Sequence, residues 1–209
     1  MNAYPPEPWL LRGQLHVTVW RVDAAALPAL PARLRPIRLG ATALVATAWV
    51  HYEPGGVLAY RELLAAVLAQ HGRWPLVSIT DIWVDSEASL RGGRELWGIP
   101  KDLADFDVEH AGPSQHWTAT TSDGAAIARG TVTARTALPG RWPAGYTVAQ
   151  QLAGQLVLTP MRSRSALQPT RSTWEFTSGG PLGWIRGAHP LRSGSLRDFE
   201  LRVGPRRPC

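Results

Sequence analysis

Apolar residues recur at every second position in short runs broken by turn-forming residues. That period constrains the fold more than any other feature of the chain. In Gln14–Val22 (QLHVTVWRV), Leu15, Val17 and Val19 share one face of a strand. Ile37–Tyr52 is long, apolar and rich in β-formers, with Gly40 as a candidate bulge, and Glu53-Pro54-Gly55-Gly56 is a turn. Leu76–Val84 reads as a strand. Further strands are expected at 105–110, 115–121, 125–137, 155–164, 171–177 and 195–203. Val57–Gln70 is ambiguous: Leu63, Leu64, Val67 and Leu68 fit helical spacing, whereas the flanks suit a strand. Helical signals are few. Asp23 can cap one short turn ended by Pro28, and Asp85–Glu95 opens with a cap and an acidic first turn before running into Gly92-Gly93. Pro100 stops any helix before Lys101. No repeat or long linker interrupts the 209 residues. The expectation is one domain over residues 1–209. Its class is α+β, mostly β: a curved antiparallel sheet or barrel with a few short helices.

Composition narrows the function classes. Hydrophobic residues make up 44% and charged residues 18%, which suits a packed core and excludes disorder. No run reaches 18 apolar residues, and Met1–Pro8 lacks a basic segment followed by an apolar one. Neither membrane insertion nor export is therefore expected. Cys209 is the sole cysteine, which rules out an intrachain disulfide and fits a reducing cytoplasm. The six histidines are scattered without metal-ligand spacing and read as structural, so no metal is expected. Several of the ten Trp are expected at pocket walls or interfaces, where the indole N–H finds a partner. Charge is uneven: residues 1–128 carry 10 basic and 13 acidic groups, and residues 129–209 carry 12 Arg and 3 acids. A basic half suggests an anionic partner. Its arginines, however, stand singly among apolar and small residues, with no aromatic-interleaved RNA motif and no DNA-reading element. They read as a solvated surface, and no nucleic-acid partner is expected.

The lysine count points to chemistry. The chain has 21 Arg and one Lys, Lys101. Under such a bias, positions needing only a positive charge drift to Arg, and the position that resists needs something Arg cannot do. Arg stays protonated, whereas a lysine can lose its proton when desolvated and act as an amine nucleophile. An unperturbed lysine, with a pKa of roughly 10.4, is under about 0.1% free amine at pH 7. A fall of roughly three units corresponds to about 4 kcal/mol, within reach of an apolar pocket. A free amine condenses with a ketone, and the protonated imine is an electron sink needing no cofactor.

The segment Gly93-Arg94-Glu95-Leu96-Trp97-Gly98-Ile99-Pro100-Lys101 resembles the Gly-Arg-Glu…Pro-Lys signature of the acetoacetate decarboxylase superfamily. Tyr60-Arg61-Glu62, with Glu62 39 residues before Lys101, matches a second family segment that ends in an active-site glutamate. Pro8-Trp9-Leu10-Leu11-Arg12-Gly13 lies where the family places an active-site arginine. The resemblance implies a mostly β, barrel-like fold that forms homo-oligomers around a Schiff-base lysine. It makes Lys101 the nucleophile, Glu62 the pocket carboxylate, and Arg12 the partner of a substrate carboxylate, with Gly13 competing for that position. Trp83 and Ile99 become apolar walls. It also implies a small keto-acid substrate and no membrane partner. Arg94 and Glu95 read as a structural ion pair. One departure stands out: Asp102 follows Lys101, where the decarboxylase has a second lysine. Asp102 either faces inward and stabilises the lysine cation, or faces outward and leaves activation to burial. The implied reaction is decarboxylation of a β-keto acid by a lysine imine. The alternatives are an aldolase or dehydratase acting on pyruvate-like substrates through the same lysine, and a small-molecule-binding barrel without turnover.

Overall fold

The computed structural model describes residues 4–209, so Met1–Ala3 of the N-terminal run discussed above lie outside it. In chain order the strands are β1 (Trp9–Asp23), β2 (Arg35–Pro36), β3 (Arg38–Leu39), β4 (Thr42–Tyr52), β5 (Tyr60–His71) and β6 (Trp74–Val84). Helix α1 (Glu87–Trp97) follows. Then come β7 (Lys101–Leu103), β8 (Asp105–Ala111), β9 (Ser114–Thr120), β10 (Ala126–Ala134), β11 (Trp142–Leu152), β12 (Gln155–Phe176), β13 (His189–Val203) and β14 (Arg207–Pro208).

The strand order β11-β6-β5-β4-β1-β13-β12 returns to β11, because β11 also pairs with β12. The ring is a closed barrel, its seam a short parallel contact at Val148 and Val77. Closure removes the free edges that a flat sheet would expose. The second half of β12 leaves the barrel and pairs with β10, carrying β9 and β8 with it as an arm. The arm folds over the outside of the barrel. Trp49 of β4 is stacked there between Trp117 and Trp174, with ring centroids 5.6 and 5.1 Å away.

Strands β4 and β5 are thus covered on both faces, by the barrel interior and by the arm. This resolves the ambiguity at 57–70. Tyr60–His71 is a strand, and its alanines and leucines, good helix formers, are overridden by burial on both sides. The expected break between residues 164 and 171 is absent. β12 runs through it with a register shift between Arg164 and Ala166. β11 had no clear sequence signal, because the residues of its first half, Trp142–Tyr146, are all exposed and show no alternation of burial.

The helical signals are realised nearly as written. Asp23 accepts from the Ala25 amide at the start of a short 3-10 turn, Ala24–Ala26. In α1 the cap is Ser86, whose hydroxyl accepts from the Ser89 amide, one residue later than Asp85. Gly98 closes the helix at φ 66°, with its amide bonded to the Arg94 carbonyl.

Gly92 and Gly93 weaken the helix by propensity but are required by packing. A Cβ on Gly92 would lie 2.4 Å from the Trp9 ring, and one on Gly93 would lie 2.7 Å from Cδ of Lys101. Gly92→Ala should therefore cost about 1–3 kcal/mol of stability through overpacking. Urea unfolding of the variant measures this, and an unchanged midpoint would contradict the close approach.

Candidate active site

Lys101 opens β7, which lies parallel to β6 with Lys101 beside Ile82 and Asp102 beside Trp83. Neighbours in register share a face, and successive residues alternate. Lys101 and Ile82 therefore point into the barrel, and Asp102 and Trp83 point away from it. Inside, the ammonium has three partners for its three N–H groups. Nζ donates to Oε2 of Glu62 at 2.7 Å, to the Ser89 hydroxyl at 2.8 Å and to the Tyr60 hydroxyl at 3.3 Å. Both side chains of the Lys101–Glu62 pair are 4% exposed. The other Glu62 oxygen accepts from the Tyr52 hydroxyl at 3.2 Å. Three elements converge here. α1 supplies Ser89 on the same face as Gly93, β5 supplies Tyr60 and Glu62 at alternate positions, and Tyr52 pairs with Tyr60 across the β4–β5 ladder.

Burial drives the Lys101 ammonium toward its neutral form, but the adjacent Glu62 carboxylate and Tyr60 hydroxyl outweigh it, and the net direction is upward. Resting Lys101 is thus a cation held in a buried ion pair, the opposite of the amine lowered by desolvation expected from sequence. Burial likewise pushes the Tyr60 hydroxyl up to about 12 and that of Tyr52 well above its ordinary value, so both remain hydrogen-bond donors.

The pair lines a cavity of about 260 Å³ inside the barrel. Tyr52, Tyr60, Glu62, Ile99 and Lys101 line it. Tyr146, 46% exposed, lines it as well. The remaining lining is dominated by aliphatic side chains, and Lys101 is its one cationic side chain among the described residues.

Two expected members of the site fall elsewhere. Arg12 alternates outward on β1, is exposed, and does not line the cavity. Its neighbour Gly13 is where β1 presses on β4: a Cβ there would lie 1.9 Å from the His51 carbonyl oxygen. Trp83 belongs to the core between barrel and arm, and Ile82, one residue earlier, forms the wall. In both cases strand parity decides, and a shift of one residue exchanges the faces.

Arg94 and Glu95 do not pair with each other. Arg94 Nε donates to the Lys101 carbonyl at 2.6 Å, and its Nη2 lies 3.8 Å from the Asp102 carboxylate. Glu95 accepts from the Tyr4 hydroxyl at 2.6 Å. Arg94 thereby clips β7 to α1 from outside, while Gly93 makes room for the lysine stem inside. Gly93→Ala should displace Nζ and slow amine chemistry by up to about 10²-fold, read as the rate of imine trapping on the folded variant.

Asp102 is solvated, with its side chain 71% exposed. Asp102→Asn should leave the pH–rate profile superimposable on that of the parent. A displaced profile would mean that this carboxylate acts on Lys101 after all.

Tyr52 and Ser89 carried no sequence signal of their own. Tyr60 and Glu62 were visible as a motif, but only the β4–β5 register brings Tyr52 beside them. Ser89 and Gly93, four residues apart on one helix, were the available hint. His16, buried between Ser195 and Gln115, is a structural histidine, and burial lowers it to about 4. No cluster of potential metal ligands occurs among the described residues.

Comparison with curated proteins gives no match. Solved structures share the fold. Acetoacetate decarboxylase from Legionella pneumophila superposes with a TM-score of 0.83 at 16% identity, covering 100% of this chain and 90% of that one. An acetoacetate decarboxylase-like enzyme from Sphingomonas wittichii RW1 gives 0.74 at 16% identity, covering 99% and 94%. The enduracididine biosynthesis enzyme MppR complexed with pyruvate gives 0.69 at 18% identity, covering 98% and 91%. The acetoacetate decarboxylase (ADC) family model matches residues 1–170. With more than three quarters of its length matched, the chain belongs to the acetoacetate decarboxylase family.

Proposed function

We propose that the protein is a Schiff-base lyase in which Lys101 condenses with the ketone of a small keto acid, with decarboxylation of a β-keto acid as its reaction. Family membership marks it as an enzyme of the lyase type; the substrate and the individual steps are our reading. The observation that carries the reading is the sole lysine of the chain, buried in an apolar cavity 2.7 Å from a carboxylate able to take its proton.

Glu62 accepts a proton from the ammonium as the amine attacks the carbonyl carbon. One proton moves from the adduct nitrogen to the carbinolamine oxygen, the proton held by Glu62 joins it there, and the oxygen leaves as water to give the iminium. The Cα–carboxylate bond then breaks, its electron pair moves into the enamine, and CO₂ departs. A proton drawn from water adds to the enamine carbon, and hydrolysis of the resulting iminium by a second water releases the ketone and restores the Lys101 ammonium.

The cavity favours loss of CO₂ over steps that keep the carboxylate. No second cation lines it among the described residues, so a bound carboxylate is poorly solvated and its departure relieves that cost. Lyase action on pyruvate-like substrates through the same amine is the second reading. Its support is the shared fold with MppR, which was solved in complex with pyruvate. We place the whole chain in one domain acting as a homo-oligomer.

Incubation with acetoacetate or pyruvate, borohydride reduction and mass mapping test the chemistry, and product analysis separates the two reactions. CO₂ and acetone from acetoacetate are expected. An aldol or dehydration product instead would transfer the assignment to the second reading, and the absence of any adduct across a keto-acid panel would leave a binding barrel.

A further inference from the structure

The cavity does not end at the amine. Along β5 the lining continues from Glu62 through Leu64 and Ala66 to Leu68, roughly 20 Å at about 3.3 Å per residue. Across the ladders the same rows are filled by Val17, Ala48 and Ile82, and then by Ala46 and Ile79. Tyr52, Tyr60 and Glu62 lie at or above the Glu62 row, and Lys101 enters beside Ile82 in the Leu64 row with its Nζ 2.7 Å from Glu62; the other lining side chains of that row and of the two rows below it are aliphatic. Two features keep this arm open. Ala46 pairs directly with Ala66, and Ala48 lies one row nearer the amine, so small side chains meet where bulky ones would fill the barrel. Leu15, Val17, Leu64, Leu68, Val77 and Leu196 line the void and are only half-buried. Uncovered apolar surface inside a barrel favours an apolar occupant.

Resting on the Schiff-base reading, we infer that the substrate is a 3-oxo acid bearing an aliphatic chain, with its ketone at Lys101 and its alkyl tail in the Ala46–Ala66 arm. A 3-oxo acid fits this geometry because carboxylate and tail leave the ketone carbon in opposite directions. One is directed to the tyrosines, the other down the strands.

The test is the full chain with 3-oxo acids of four to eight carbons, each assayed for CO₂ release and for borohydride trapping at Lys101. The value of kcat/KM should rise about fourfold per added methylene, the gain expected for burying one CH₂. Ala66→Leu should cut the eight-carbon to four-carbon ratio at least tenfold. Ala46→Leu, at a half-buried position, provides the same reading if the first variant folds poorly. Adducts at Lys101 with a flat or falling chain-length series would overturn the inference and leave the Schiff-base reading standing. A rising series untouched by both variants would overturn it by placing the tail elsewhere. No adduct with any member would remove both.

Discussion

Lys101→Arg is expected to abolish borohydride-trapped adducts and to lower turnover by roughly 10⁴–10⁶, the scale seen when a nucleophile is removed. Arg keeps the positive charge beside Glu62, so the variant isolates nucleophilicity from charge. Because the chain has one lysine, any residual adduct can arise only at the terminal amine, and peptide mapping separates the two. Lys101→Met answers a different question. It leaves Glu62 buried and unpaired, and should cost about 3–5 kcal/mol of stability in urea unfolding, as removal of one member of a buried pair does. Full stability in Lys101→Met together with full activity in Lys101→Arg would return the pair to the status of a replaceable core contact.

Glu62→Gln carries the second large effect and splits into two readouts. As the proton carrier, Glu62 should be worth roughly 10²–10⁴ in turnover. As the neighbouring carboxylate, it opposes the burial that would otherwise drive Lys101 toward the free amine. In the parent protein, trapping should quicken as pH rises toward the raised lysine value. In Glu62→Gln the burial is opposed by the Tyr60 hydroxyl without the carboxylate, and the trapping profile should move to lower pH even as turnover falls. The stability sign agrees. A lysine raised by folding contributes stability that is fully present below its unfolded value near 10.4 and is lost as pH rises through the folded one. The parent should therefore lose stability in strong alkali, and Glu62→Gln should lose less there. A trapping profile unmoved by Glu62→Gln would show that the pair does not set the state of the amine.

Much of this site was legible because its chemistry is local. The lysine count singled out Lys101, and the 39-residue spacing tied it to Glu62 at a separation that the β5–β6–α1–β7 path closes to 2.7 Å. The strand period gave a mostly β molecule, and the helix caps fell within a residue of their expected positions. The errors arose where a one-residue offset changes the face. The resemblance implies Trp83 as the wall, where Ile82 stands, and Arg12 as the substrate's partner, where that side chain points outward.

By itself the sequence determined the strand-rich class and singled out the one lysine, because each depends on residue type or on period along the chain; the family resemblance added Glu62 as its carboxylate. Tertiary structure alone decided the rest. Closure of the barrel aligned β4 with β5 and brought Tyr52 beside Glu62. The β6–β7 register turned Asp102 to solvent. The facing alanines of two strands opened the apolar arm. These are pairings between distant segments, and register between strands is set by how whole faces pack, which no short stretch of sequence contains.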